Sequence, residues 1–277
     1  MKDQILELRR KIEEVTRTTK EKSKKINYVD FNGNLKRLNS DSNFVIYGRR
    51  GSGKTTLLIQ SFETSYKTLP IYIQCELYKE HTYPNLLINI LKQILQQSLS
   101  SFKIKDKLFN YTLLSEIKLK IKELKSLMEK PDDYEIAFDD KEKVTSLRKL
   151  GLSHSGIEAG TNSKISLEKS KSYTFKQKKI EYLNHNLDEF RDILDQINKK
   201  LKYSKINLYL DDFYHLNFDD QPFIADYILR LCKDIKIYFK ITTIKHRSNL
   251  YSRDINRKIR GIQESAEHSS INLDFSL

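Results

Sequence analysis

Cysteine is scarce: Cys75 and Cys232 stand far apart in 277 residues and share no CxxC-type spacing. That excludes a disulfide framework and a cysteine-rich zinc site, and both residues read as small buried apolar groups. Long apolar runs are missing too, since no stretch approaches the roughly 18 uninterrupted apolar residues of a membrane span. The opening MKDQILELRRKIEEV mixes charge with Ile and Leu and lacks the apolar block of a secretory signal. A cytoplasmic location without a membrane partner is therefore expected. Glycine and proline number eight and four, so their placement punctuates the chain. Acidic charge is the minority, with 50 Lys and Arg against 37 Asp and Glu, a net charge of +13. Such an excess favours polyanions and makes DNA or RNA a candidate partner. A compositional bias toward Lys, Asn, Ile and Tyr along the whole chain accounts for it equally well. With 38% hydrophobic and 31% charged residues, the chain is globular rather than disordered.

Residues 3–16 space Ile5, Leu8, Ile12 and Val15 as one helical stripe, and 17–25 (RTTKEKSKK) form a basic linker. Residues 1–25 are thus expected to precede a domain over 26–277. Within it, 43–47 (NFVIY) predicts strand 1 and 54–66 a helix. Residues 69–75 (LPIYIQC) predict strand 2. Pro84 at a helix N1 position opens PNLLINILKQILQQSL, and another helix covers about 112–130. Gly151, Gly156 and Gly160 fall in a serine-rich stretch, 131–172, that favours short β segments or a mobile loop. A long helix over about 174–201 precedes strand 3 at 206–210 (INLYL). Pro222 opens a helix to about 233, before strand 4 at 235–243 (IKIYFKITT) and strand 5 at 270–275 (SINLDF). Strands separated by helices predict a mostly parallel five-stranded sheet covered on both faces, an α/β three-layer architecture. A largely helical insertion, about 100–202, is expected between strands 2 and 3.

The segment Gly48-Arg49-Arg50-Gly51-Ser52-Gly53-Lys54-Thr55 fits G-x-x-x-x-G-K-[ST], with an apolar strand before it and a helix after it. This is the phosphate-binding P-loop of nucleoside triphosphatases. Glycines at 48, 51 and 53 admit turns closed to residues with a Cβ, so successive N–H groups can meet phosphate. The following helix adds its positive end. Lys54 supplies a point charge to the β- and γ-phosphates, the Thr55 hydroxyl is a Mg²⁺ ligand, and Thr56 can donate to the α-phosphate. ATP with Mg²⁺ is the expected ligand pair, although the sequence contains no base-reading motif that separates ATP from GTP.

A second acid is needed to hold the metal at the end of a neighbouring apolar strand, and INLYL-Asp211-Asp212 offers a pair. Asp211 is expected to bind Mg²⁺ through water, and Asp212 to orient or deprotonate the attacking water. Strand 4 ends in Thr242-Thr243 and leads to Arg247. A polar residue there can sense the γ-phosphate, and an arginine nearby can neutralise its charge. Side-chain alternation lets only one threonine face the site, and Thr243 is the one expected.

Together FVIYGRRGSGKTTLL, INLYLDDFYHL, YFKITTIKHRS and SINLDFSL resemble the AAA+/STAND branch of P-loop ATPases, within it the initiator-type, origin-recognition-like ATPases of bacteria, some found near defence genes. The motifs cover about a fifth of the chain. The resemblance implies Walker A roles for Lys54 and Thr55, Walker B roles for Asp211 and Asp212, and a sensor 1 region at Thr243 and Arg247. It also places Val29-Asp30-Phe31-Asn32-Gly33 near the adenine. These families continue past strand 5 into a helical lid, which is missing here. A partner protein or a second copy is expected to complete the site, or the chain is a piece of a longer protein, and hydrolysis alone should be slow. The implied activity is an ATP-driven switch within an assembly. A nucleic-acid-dependent ATPase, a non-hydrolysing nucleotide-gated scaffold and a small-molecule kinase stay open beside it.

Overall fold

The computed structural model describes residues 30, 32–129, 177–253 and 259–274. The expected N-terminal helix, the basic linker and the Gly/Ser segment 131–172 lie outside the described residues. Contacts divide the chain into two units, residues 1–124 with 186–277, and residues 125–185.

In chain order the elements are α1 (Asn34–Leu38), β1 (Phe44–Tyr47), α2 (Lys54–Thr64), β2 (Thr68–Gln74), α3 (Asn85–Ser100), α4 (Ile104–Phe109) and α5 (Tyr111–Glu129). There follow α6 (Leu187–Lys200), β3 (Lys205–Asp211), α7 (Gln221–Cys232), β4 (Ile237–Thr243), β5 (Tyr251–Arg253), β6 (Ile259–Gly261) and β7 (Ser269–Asn272). In the second unit, 125–129 finish α5 and 177–185 are helical. Everything else described belongs to the first. Pro84 stands one residue earlier than expected, as the N-cap of α3 rather than its first helical residue.

Five strands form one all-parallel sheet in the order β2–β3–β4–β1–β7. Every residue of β3 is buried, and so are six of the seven in β4, the continuous burial expected of central strands in a parallel sheet covered on both faces. Register decides which side chains share a face. Tyr72, Tyr209 and Lys240 align across β2, β3 and β4, while Ile46 on β1 aligns with Thr242 and Ile271. This face packs on α2: Phe44, Ile46, Tyr209 and Ile271 cluster with Leu57 and Leu58. Each fully buried leucine contributes about 1.5–3 kcal/mol to the packing. At the other end of the strands, Lys240 Nζ donates to Ser40 O and Ser42 O, and Lys205 Nζ to Asn39 O and Asp41 Oδ1. Two lysines inside the sheet thus tie down the turn that feeds β1.

β2 is an edge strand, and α3 covers it. Tyr72 N–H donates to Gln97 Oε1 (2.9 Å) and Gln97 Nε2 donates to Tyr72 O (2.7 Å), so one side chain satisfies both edge groups of that residue. Two short strands escaped the sequence reading: β5 and β6 pair antiparallel as a separate ribbon. No helix among the described residues is long and apolar enough to cross a membrane.

Candidate functional site

The glycine loop joins β1 to α2 at the C-terminal edge of the sheet. Gly48 N–H donates to Thr243 O (3.3 Å), which fixes the loop's start against β4. A Cβ on Gly48 would lie 2.2 Å from Ser52 Oγ, so a larger residue there would turn the Ser52 side chain out of its present position. Gly53, the N-cap of α2, has φ 87°, in the left-handed region that glycine enters at no steric cost. The first N–H groups of α2 have no intrahelical acceptor, and the helix presents its positive end there. Arg49 N–H donates to Asp274 Oδ1 (2.8 Å), tying the loop's first turn to the chain leaving β7. Arg49 and Arg50 are exposed, while Thr55 and Thr56 are half-buried.

Lys54 folds back under this loop. It is 5% exposed, and its Nζ donates to Gly48 O (2.8 Å) and Arg49 O (3.0 Å). Burial pulls its pKa below the ordinary lysine value, opposed by Asp212, Asp211 and Asp274 in that order. The expected lysine and both expected acids therefore act on one another.

Asp211 ends β3 and is 2% exposed. Both its oxygens accept hydroxyl hydrogen bonds: Oδ1 from Thr242 Oγ1, and Oδ2 from Tyr72 OH at 2.6 Å. Burial, followed by the Asp211 charge, pushes the Tyr72 phenol well above its usual range. The two donors come from opposite sides, since β3 lies between β2 and β4. The carboxylate is thereby held in one orientation.

Asp212 has φ 53°, an uncommon backbone for a residue with a Cβ and best tolerated by Asp and Asn. Its N–H donates to Thr242 Oγ1 (2.8 Å) and Asp211 Oδ1 (3.1 Å). Burial pushes its carboxyl up to about 6, and Asp211 adds to the rise. Lys54 opposes it, Glu76 reinforces it, and Arg50 pulls it down. Such a carboxyl is ionised at neutral pH yet basic enough to take a proton, the compromise general-base work requires.

The structure differs from the sequence reading at the end of β4. Thr242, not Thr243, reaches the acids, while Thr243 Oγ1 pairs with Ser248 Oγ. Register is the reason: the ladder ends at Leu210 aligned with Ile241, and one residue further on each strand Thr242 Oγ1 reaches Asp211. Arg247 stands in a short 3-10 turn with its guanidinium 5.0 Å from the Tyr214 ring centre. Tyr214 also feels Asp212, Arg50 and Glu76, so Arg247 borders the same edge. Of the expected adenine segment, Asp30 caps α1, accepting from Asn34 N–H (2.8 Å) and Leu35 N–H (3.0 Å). Val29 and Phe31 lie outside the described residues.

Sequence reasoning missed Tyr72, Thr242 and Asp274. Alternation says that only one of Thr242 and Thr243 can face the acids, but which one, and that Tyr72 joins it, follows from the strand register alone; nothing in the sequence marks Asp274. Among the described residues no three His, Cys, Asp or Glu side chains converge on a metal position. A cage of protein ligands alone is therefore lacking, but Mg²⁺ is commonly held by one or two carboxylates together with substrate phosphates. The hard oxygens of Asp211 and the Thr55 hydroxyl fit that donor set. No protein-family model matches this chain, and no curated protein matches it either.

Proposed function

We propose that the chain binds ATP with Mg²⁺ on the loop from Gly48 to Thr56 and hydrolyses it slowly, as a switch of the AAA+/STAND kind within a protein assembly. One observation supports this most: a buried lysine under a glycine loop lies within electrostatic reach of two strand-end carboxylates, with β4 running between their strands. Lys54 exchanges its loop carbonyls for β- and γ-phosphate oxygens, and the loop N–H groups receive the rest of the anion. Thr55 and Asp211 would hold Mg²⁺, which would supply charge neutralisation to the bound phosphates. Asp212 accepts the proton of the water that attacks the γ-phosphorus, giving ADP and phosphate. Thr242 spans both acids, so it is the residue of β4 that couples the state of the site to the strand.

The switch reading needs a partner. Leu77, 70% exposed, lies in the 3-10 turn Cys75–Tyr78 that leaves β2, and Phe218, 53% exposed, follows the 3-10 turn Phe213–His215 that leaves β3; the two turns pack together beside the acids. Large apolar side chains at that rim suit docking of a second copy or another protein. The net charge of +13 favours a second reading, a nucleic-acid-dependent ATPase. ATPase measurement against protein concentration, with and without DNA, separates them. A specific rate rising with protein concentration supports shared sites, and DNA stimulation lost with added salt supports the second reading. A rate of zero under all these conditions contradicts hydrolysis.

Tyr72→Phe and Thr242→Val each remove one hydroxyl bond to the Asp211 carboxylate, an interaction with a charged acceptor worth about 1.5–3 kcal/mol. Each variant should need at least roughly 10-fold more Mg²⁺ for half-maximal hydrolysis, with metal-free nucleotide affinity little changed. A Mg²⁺ titration of the rate checks this, and an unaltered midpoint in both variants would remove Asp211 from the metal site.

A further inference from the structure

Between β2 and β3 the chain turns two aromatic rings into solvent. Phe109 closes α4 and Tyr111 opens α5, and they are 87% and 76% exposed. Asn110 between them is buried at the joint. Its Nδ2 donates to Asp106 O (2.8 Å), and its backbone carbonyl accepts from Leu114 N–H (3.0 Å). With Asn110 held inward at the break between the helices, the residues on either side of it face out. The outer side of α5 continues this face. Leu113, Leu114, Ile117, Ile121 and Leu124 are buried at helical spacing, which leaves Tyr111, Ser115, Lys118, Leu119 and Lys122 exposed. From Tyr111 to Lys122 the stripe runs about 17 Å along the helix axis.

Surface charge on residues 103–122 has one sign. Lys103, Lys107, Lys118 and Lys122 are exposed. The two acids of the stretch, Asp106 and Glu116, are half-buried, and Asp106 accepts from Lys103 N–H (3.2 Å). Exposed rings mark an interaction surface, and lysines without exposed acids call for an anionic partner. A protein partner suits the face poorly, since the centres of protein interfaces are depleted in lysine. So does a bilayer: α5 turns its continuous apolar stripe to the protein interior and has one leucine among lysines left to immerse. A nucleic-acid single strand meets both features, because its unpaired bases stack on rings and its phosphates meet ammonium groups. The stripe matches the length of about five stacked nucleotides at roughly 3.4 Å each.

We propose that the outer face of α4 and α5 binds single-stranded DNA or RNA, with bases stacked on Phe109 and Tyr111 and the backbone along Lys118 and Lys122. The proposal rests on the nucleic-acid reading given above and supplies the surface for it. The test titrates the full chain, without ATP or Mg²⁺ and at physiological salt, against fluorescently labelled strands by anisotropy. Oligothymidylate and oligouridylate separate DNA from RNA, and a duplex of the same length is the comparison.

At least one single strand should bind about 10-fold or more tightly than the duplex. Phe109→Ala with Tyr111→Ala, and Lys118→Glu with Lys122→Glu, should each weaken that binding at least about 10-fold. Tyr111→Phe keeps the ring and should stay within about 3-fold of the parent. Lys36→Glu with Lys236→Glu makes the same charge change at exposed lysines elsewhere and should also stay within about 3-fold. All these side chains are exposed, so the variants should melt with the parent and lost binding is not lost folding. The proposal is overturned if neither strand binds, if the duplex binds as tightly, or if the double alanine variant binds as the parent does. It is equally overturned if the Lys36 and Lys236 variant loses as much as the Lys118 and Lys122 variant. Vesicles of phosphatidylserine and phosphatidylcholine are run alongside, and capture by vesicles without strand binding would give the face to a membrane instead. Lys54→Ala should bind the strand as the parent does, so a failure here leaves the glycine loop's ATP standing; a loss in that variant would move the strand to the loop and overturn the proposal.

Discussion

Lys54→Ala is expected to lower ATP affinity at least 100-fold while the fold survives. The ammonium is buried, already partly desolvated, and held by two loop carbonyls. Swapping those carbonyls for β- and γ-phosphate oxygens gives two charge-assisted bonds, each worth about 1.5–3 kcal/mol. Their joint loss corresponds to roughly 100- to 10,000-fold in dissociation constant. Stability should change little, because burial already disfavours the charge in the folded chain and its loss offsets the broken bonds. Calorimetric titration with ATP and Mg²⁺, beside a thermal melt, checks both halves. An affinity equal to the parent's would move the phosphate site elsewhere.

Asp212→Asn should do two things at once. With the proton acceptor gone, hydrolysis falls by about 10²- to 10⁴-fold while ATP binding persists. The same change should stabilise the unliganded protein at pH 8. The Asp212 carboxyl is raised to about 6 in the fold from an ordinary 3.8. Its contribution to stability is therefore present in full below about pH 4 and is lost as pH rises through 6. A neutral Asn avoids that loss and accepts the same φ of 53°. After solvent screening the gain at pH 8 is about 1 kcal/mol, roughly 3 °C in melting temperature. Below pH 4 the two proteins should melt together. In the parent, hydrolysis should rise with pH up to about 6 and then level off, with bound Mg²⁺ moving that limb lower. A melt unchanged at pH 8 together with wild-type turnover would assign the proton transfer to another group. A functional carboxylate kept at a cost in stability is what an active site imposes on its fold.

The core of the architecture could be read from the chain because its strands are buried on both faces. Each therefore appears as a mostly apolar, β-branched and aromatic run ending at a polar edge: FVIY at Gly48, INLYL at Asp211, and IYFKITT at the turn carrying Arg247. The turn from β1 into α2 was legible because glycines at 51 and 53 mark a backbone that residues with a Cβ rarely adopt. Pairing was not legible. Which threonine meets Asp211 depends on β3 and β4 aligning Leu210 with Ile241, a tertiary fact that propensity does not contain. The ribbon of β5 and β6 went unseen because its residues, YSR and IRG, show no apolar alternation. One sign was present: Gly261, with φ 106°, brings its backbone against Leu250 O where a Cβ would lie at 2.0 Å. Lys240 misleads in the opposite direction, a lysine inside an apolar run that is fully buried because its amine reaches carbonyls at the far end of the strand.

The placement of the nucleotide is tested most directly by a crystal structure of the chain with a non-hydrolysable ATP analogue and Mg²⁺. The phosphate oxygens should lie about 3 Å from the amide nitrogens of residues 51–55 and from Lys54 Nζ, with the metal between Thr55 and Asp211. An analogue bound anywhere else, or a metal on the side of the sheet away from Asp211, would contradict the account.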